Sequence, residues 1–200
     1  EKLPLNKFKE CCRILNDACL MLTEGQFLDL AFEERERVSI EEYMEMIRRK
    51  TAALMAASAQ MGAVVATEDK DLVERLRRFG ESLGMAFQVQ DDILGLWGDE
   101  AVTGKPVADD LRQRKKTLPI IYAMDKEPYL QALLAGAEWG EEKVSEALEI
   151  INRSGAREFT ENQALSFYQK ALEELEGLGR DSEAVQALKE LASFMVGREY

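Results

Sequence analysis

The 200-residue sequence contains no histidine. That absence removes imidazole acid–base catalysis, the Ser/His/Asp arrangement and most catalytic zinc sites in one step. Cysteine is scarce. Cys11, Cys12 and Cys19 are odd in number, fall in one helical pattern and lack the paired spacing of a zinc site or a disulfide framework, so they are expected to be buried reduced thiols. Long hydrophobic runs are missing as well. The longest uncharged stretch, TAALMAASAQMGAVVA from Thr51 to Ala66, falls short of the roughly 20 apolar residues that a spanning helix needs. Its wealth of Ala, Ser and Gly predicts a close-packed core helix and no stable membrane insertion. Positive charge is in deficit, with 26 Lys and Arg against 38 Asp and Glu and a net charge of −12. Such a chain repels nucleic acid and anionic membranes, so an anionic ligand must be held by local cations or a bridging metal. No segment joins a basic start, an apolar stretch and a cleavage site, which predicts a cytoplasmic protein. Whatever chemistry the chain performs rests on carboxylates, lysines and hard metals.

What the sequence does contain is helix. Hydrophobic residues make up 46% and charged residues 32%, ordinary values for a globular chain, and the length suits one domain over residues 1–200. Apolar residues recur at spacings of three and four, which predicts an all-α fold. A first helix is expected from about Asn6 to Glu34, with Ile14, Ala18, Met21 and Leu22 on one stripe. Ser39 followed by Glu42 is a capping-box pattern that opens a second helix running to about Ala66. A third runs from just after Thr67 to about Gly98. Helices of this length suit a large bundle. A loop bearing glycine and proline follows to about Lys115, then a helix with Pro119 near its first turn and shorter amphipathic helices that read as scaffold.

The chemistry concentrates in FQVQDDILGLWGDEAVTGKPVADDLRQRKK, residues 87–116. Gln88, Asp91, Asp92, Gly95 and Asp99 lie three, four or seven apart and share a face, while Phe87, Val89, Ile93, Leu94 and Leu96 occupy the rest. Ionised carboxylates on so apolar a helix are costly unless something positive neutralises them. A dication such as Mg²⁺ does so while keeping positions open for phosphate oxygens. An isolated Asp pair near a helix end is ordinarily just solvated, but cations follow here. Lys105 sits beside Gly104 on the loop, and Arg112, Arg114, Lys115 and Lys116 cluster before Thr117. Lys50 and Thr51 stand where a charged turn enters the small, apolar half of the second helix. On the first helix Gly25 allows close approach, and Gln26 and Asp29 share a face.

In order and spacing, GQFLDL at Gly25 to Leu30, YMEMIRRKTAAL at Tyr43 to Leu54, FQVQDD at Phe87 to Asp92, TGKP at Thr103 to Pro106 and DLRQRKKTLP at Asp110 to Pro119 resemble the trans-isoprenyl diphosphate synthases. This polyprenyl synthetase family includes farnesyl and geranylgeranyl diphosphate synthases, and the resemblance covers about Leu15 to Ala123. It implies the large helical bundle of the isoprenoid synthases, usually dimeric, and Mg²⁺-dependent condensation of an allylic diphosphate with isopentenyl diphosphate. It further implies Asp91 as the direct metal ligand with Asp92 beside it, Lys50 and Lys105 as grips on the leaving diphosphate, and Lys115 as a further basic contact. Thr51 and Gln88 are implied beside the developing cation, and Phe87 in the homoallylic pocket.

The sequence departs from the pattern twice. Gly95 stands where the second motif, DDxxD, ends in a further aspartate, so Gly95→Asp is expected to restore the pattern with little change in activity. The first aspartate-rich motif and its arginine pair, which precede the GQ helix in the family, are not found among the 200 residues. The chain is therefore expected to be the later part of a synthase, inactive alone, and completed by a homodimer partner or by a second polypeptide supplying the missing N-terminal helices. A non-catalytic regulatory subunit, a class I terpene cyclase and a helical interaction module are the alternatives. Retention of Asp91, Asp92, Lys50 and Lys105 speaks against the first, and the cyclase triad is not found.

Overall fold

The computed structural model describes residues 3–104, 106–179 and 182–197, and among them the regular elements are helices without a β-strand. Helix α1 (Leu5–Glu34) is followed by α2 (Ile40–Ile47), a π-helical turn (Arg48–Ala52), α3 (Ala53–Ala66) and α4 (Lys70–Trp97). The short α5 (Glu100–Thr103) and α6 (Asp109–Arg112) occupy the expected loop. Helices α7 (Leu118–Lys126), α8 (Pro128–Ala135), α9 (Glu141–Arg153), α10 (Ala156–Glu176) and α11 (Glu183–Val196) complete the bundle.

Local chemistry sets the boundaries. The Ser39 hydroxyl accepts from the Glu42 N–H at 3.2 Å, and the Glu42 carboxylate accepts from the Ser39 N–H at 2.9 Å, so the capping box forms as expected. Asp69 caps α4 by accepting from Asp71 and Leu72 N–H groups. Gly98 leaves helical geometry at the far end, and Asp99 starts again as the cap of α5, accepting from the Ala101 N–H at 2.8 Å. Asp99 thus stands outside the face it was expected to share with Asp91, because α4 stops before reaching it. The second expected helix is also not uniform. Its middle carries a wider turn in which the Ala53 N–H reaches the carbonyl of Arg48, five residues back.

Helix α4 is the axis of the fold, with α3 and α10 packed along it and α1 lying against α3 and the π turn. Close approach to α3 and the π turn depends on glycine: a Cβ on Gly80 would stand 2.8 Å from Ala56 Cα of α3, and one on Gly84 2.6 Å from Ala52 Cα of the π turn. Tyr43, Ile47, Ala52, Val89, Ile93 and Leu118 form a buried cluster between α2, α4 and α7. A second cluster, around Leu96, Ile120, Leu130, Ala147 and Ile151, joins the end of α4 to α7, α8 and α9.

The cysteines depart from expectation: Cys12 and Cys19 are exposed and Cys11 is half-buried. Ile14 and Ala18 bury the side of α1 that meets α3, whereas Cys12 and Cys19 lie on the opposite side, with the exposed Phe8, Leu15 and Phe27.

Candidate functional site

The elements converge on a cavity of about 370 Å³ lined by α1, α2, the π turn, α4, α6 and the segment before α7. The π turn delivers Lys50 to it. A Cβ on Gly25 of α1 would lie 2.7 Å from Lys50 Cα, so glycine is what lets α1 seat directly against this backbone. The Lys50 ammonium reaches Asp29 of α1 at 2.6 Å, with both side chains about one-third exposed. π turns of this kind recur at functional sites because they re-aim side chains within a helix.

On α4 the neighbouring Asp91 and Asp92 both line the cavity, yet their surroundings differ, since adjacent helical residues point about 100° apart. Asp92 is 2% exposed. It accepts from the Tyr43 hydroxyl at 2.6 Å, the Leu118 N–H at 3.2 Å and the Gln88 amide at 3.3 Å. Burial pushes its carboxyl up to about 7, the three donors hold it down in part, and the charge of Asp110 pushes it further up. Burial and the Asp92 charge likewise push the Tyr43 phenol well above its ordinary value. Asp91 is exposed and makes no ion pair among the described residues. Gln88 is oriented from both sides, because its Oε1 accepts from the Thr51 hydroxyl at 2.8 Å while its amide donates to Asp92. A chain of hydrogen bonds therefore links Thr51, Gln88, Asp92 and Tyr43 beneath the cavity.

The cation knot before Thr117 divides. Arg112 turns away to Glu141 at 2.9 Å, and Arg114 stacks on Trp139 at 4.8 Å from the ring centroid. Lys115 and Lys116 line the cavity. Lys115 pairs with Asp110 at 2.9 Å; burial alone would lower its ammonium pKa, but the paired carboxylate carries it upward. Lys116 is lowered by burial and donates to the Phe32 carbonyl at 2.7 Å. Phe87 is half-buried and not among the cavity-lining residues, and Lys105 lies outside the described residues.

Sequence reasoning passed over Tyr43, Asp110 and Thr117. The Thr117 hydroxyl is buried without a hydrogen-bond partner among the described residues and makes no capping bond to α7. At Gly95 a Cβ would stand 2.7 Å from Asp110 Cγ and closer still to its Oδ2, so a side chain there requires the Asp110 carboxylate to turn aside. The place of a side chain at position 95 is filled by the Asp110 carboxylate.

Residues 2–151 match the polyprenyl synthetase family. The chain is 40% identical over 195 residues to the short chain isoprenyl diphosphate synthase of Methanothermobacter thermautotrophicus, covering 96% of this chain and 60% of that protein. Its fold matches the crystal structure of geranylgeranyl pyrophosphate synthetase from Pyrococcus horikoshii with a TM-score of 0.91 at 34% identity, over 99% of this chain and 61% of that one. It also matches geranylgeranyl pyrophosphate synthase from Corynebacterium glutamicum, complexed with isoprenyl diphosphate and magnesium, with a TM-score of 0.86 at 28% identity, over 98% and 57% of the two chains. The chain thus spans about 60% of the length of the curated relatives it matches.

Proposed function

The chain belongs to the polyprenyl synthetase family, and from that premise we propose that it carries the diphosphate-binding part of a prenyltransferase that condenses an allylic diphosphate with isopentenyl diphosphate. The observation that supports this reading most is convergence. Lys50, Gln88, Asp91 and Lys115 come from three separate segments and line one cavity.

A hard dication fits the cavity. Asp91 presents a carboxylate without an ion pair among the described residues, and the buried hydroxyl of Thr117, another lining residue, has an unmet hydrogen-bonding capacity. Among the described residues no three acidic, histidine or cysteine side chains converge closely enough to hold an ion by themselves. That arrangement suits Mg²⁺, which is commonly held by one or two carboxylates together with substrate phosphates. Asp91 would be its ligand, with Asp92 beside it; when bound, Mg²⁺ neutralises charge on the departing diphosphate.

The remaining work falls to the chain's own groups. Lys50 and Lys115 bring ammonium groups to the anion, and Lys105 is assigned to the same task. Hydrogen bonds from an ammonium to phosphate are charge-assisted, and Lys50 and Lys115 are paired with Asp29 and Asp110, which fix their direction. The Gln88 carbonyl and the Thr51 hydroxyl stand as oriented dipoles beside the carbocation that forms as diphosphate leaves. Phe87 is assigned to the apolar pocket for the isopentenyl chain. The double bond of isopentenyl diphosphate attacks the allylic carbon, and a proton is then lost to give the longer trans-prenyl diphosphate.

Activity of the chain alone is not expected, because an opposing aspartate-rich motif is not found among its 200 residues. The test is incubation with Mg²⁺, labelled isopentenyl diphosphate and geranyl diphosphate, with and without a polypeptide carrying that motif and its helices. Longer labelled prenyl diphosphates are expected in the complemented sample. Their absence there with any allylic diphosphate would remove the reading.

A further inference from the structure

The contacts that hold α1 against the π turn deepen this reading and rest on it, because Lys50 is the cation they serve. A π turn is rare and wide, and such a backbone persists where its surroundings hold it. The three basic residues of this one divide by task. Lys50 meets Asp29 of α1 at 2.6 Å, and both residues line the cavity. Arg48 and Arg49 do not line it and are bound to acids of three different helices.

Arg49 carries the link to α1. Its Nε donates to Glu45 of α2 at 2.8 Å, while its Nη1 donates to Glu24 of α1. One guanidinium therefore ties α1 to the helix that enters the turn. The first bond already orders the side chain, so the second costs less conformational entropy than an isolated surface pair. Arg48 reaches Glu81 of α4 at 3.5 Å on the other flank. On α1 the acids Glu24 and Asp29 stand on either side of Gly25 in sequence, and a Cβ on Gly25 would lie 2.9 Å from the Arg49 carbonyl carbon. The glycine permits close approach, but a surface without a side chain offers nothing to interlock and does not resist sliding. Any shift of α1 along the turn would carry Asp29 with it and re-aim the Lys50 ammonium. The Glu24–Arg49 pair crosses that seam and opposes the shift.

We infer that Glu24 and Arg49 are positioning residues for the diphosphate site: their ion pair locks α1 on the π turn and so fixes the direction in which Asp29 holds the Lys50 ammonium. Neither touches the ligand. Both act through Lys50, which makes their effect conditional on it.

Calorimetry of inorganic diphosphate with Mg²⁺ on the full chain and its variants tests this. Glu24→Gln keeps the side chain's shape and should weaken binding about threefold to fivefold, the upper range for an exposed ion pair. The same substitution made on Lys50→Ala should weaken it no further, since the group it acts through is gone. A merely structural pair would instead give the same fractional loss in both backgrounds. Arg49→Gln should reproduce the loss, and Arg49→Lys, which keeps the charge without the fork, should lose less. Arg13→Gln is the control: its pair with Asp17 at 3.2 Å lies within α1, and affinity should not change. Unchanged affinity in Glu24→Gln, the same fractional loss on Lys50→Ala, or an equal loss in Arg13→Gln would overturn the inference. If Lys50→Ala weakens binding and Glu24→Gln does not, the lock fails and the proposed function stands. If the unsubstituted chain binds no diphosphate with Mg²⁺, both fall.

Discussion

The two halves of α4 differ in how much charge they carry, seven charged residues against Asp91 and Asp92 alone, and they handle it in opposite ways. In the first half, Arg77 pairs with Glu74 at 2.9 Å and Glu81 at 2.6 Å, while Arg78 and Arg75 share Glu174 of α10 at 2.6 and 3.3 Å. These charges neutralise one another and hold α10 in place. In the second half, Asp91 has no ion pair among the described residues, Asp92 is buried against neutral donors, and the cations of the cavity approach from other segments. A self-neutralised set of charges has little left to offer a ligand. In the cavity Lys50 and Lys115 are paired with Asp29 and Asp110 while Asp91 is not, so a carboxylate charge stays available there for a metal–diphosphate pair.

The contrast breaks most severely at Gly25. Gly25→Ala places a methyl group against the backbone of the π turn, which cannot rotate aside, and should cost about 1–3 kcal/mol of stability as overpacking does. It should also weaken diphosphate binding by moving Lys50. Chemical denaturation and calorimetry check the two effects. Lys50→Ala follows: a hydrogen bond to a charged group contributes about 1.5–3 kcal/mol, so binding of inorganic diphosphate with Mg²⁺ should fall roughly tenfold or more. Lys126→Ala, whose ammonium stacks over Tyr122 away from the cavity, should leave that binding unchanged. Equal losses for the two lysines would erase the distinction between cavity cations and the rest.

Glu174→Gln tests the other half of the helix. Its partners are about 40% exposed, so the loss should not exceed about 1 kcal/mol, and diphosphate affinity should not move. A change in affinity would mean that the two halves are coupled. The last test is a pH dependence, read on stability and not on affinity. Asp92 titrates near 7 in the folded chain and near 3.8 when unfolded, so between those values the folded state holds a proton that the unfolded state has released. Metal-free stability should therefore decline as pH rises from about 3.8 to about 7 on account of this group. Asp92→Asn should flatten that part of the profile in thermal melts, and an unaltered slope would mean that Asp92 is not the group responsible.

The long helices and the Ser39 capping box were legible because they depend on local periodicity and caps. Lys50, Gln88 and Asp91 were singled out by motif spacing, and all three line the cavity. The π turn was not legible, since nothing in RRKTA distinguishes it from α-helix until α1 seats Gly25 against it. Nor was the division of Arg112 and Arg114 from Lys115 and Lys116, which is decided by Glu141 and Trp139 arriving from α9 and the segment before it. The neighbour of Gly95 was not legible for the same reason, since Asp110 lies 15 residues on and only the fold of the intervening loop joins them. The cysteines were misplaced because α1 is apolar on both sides, and periodicity alone does not show which side meets α3.

The central claim is that the cavity acids act through a metal on a diphosphate, and calorimetry of inorganic diphosphate with and without Mg²⁺ tests it most directly. The account predicts binding that requires Mg²⁺, is lost in Asp91→Ala and persists in Glu174→Gln. Binding without Mg²⁺, or binding that survives Asp91→Ala at full strength, would contradict it.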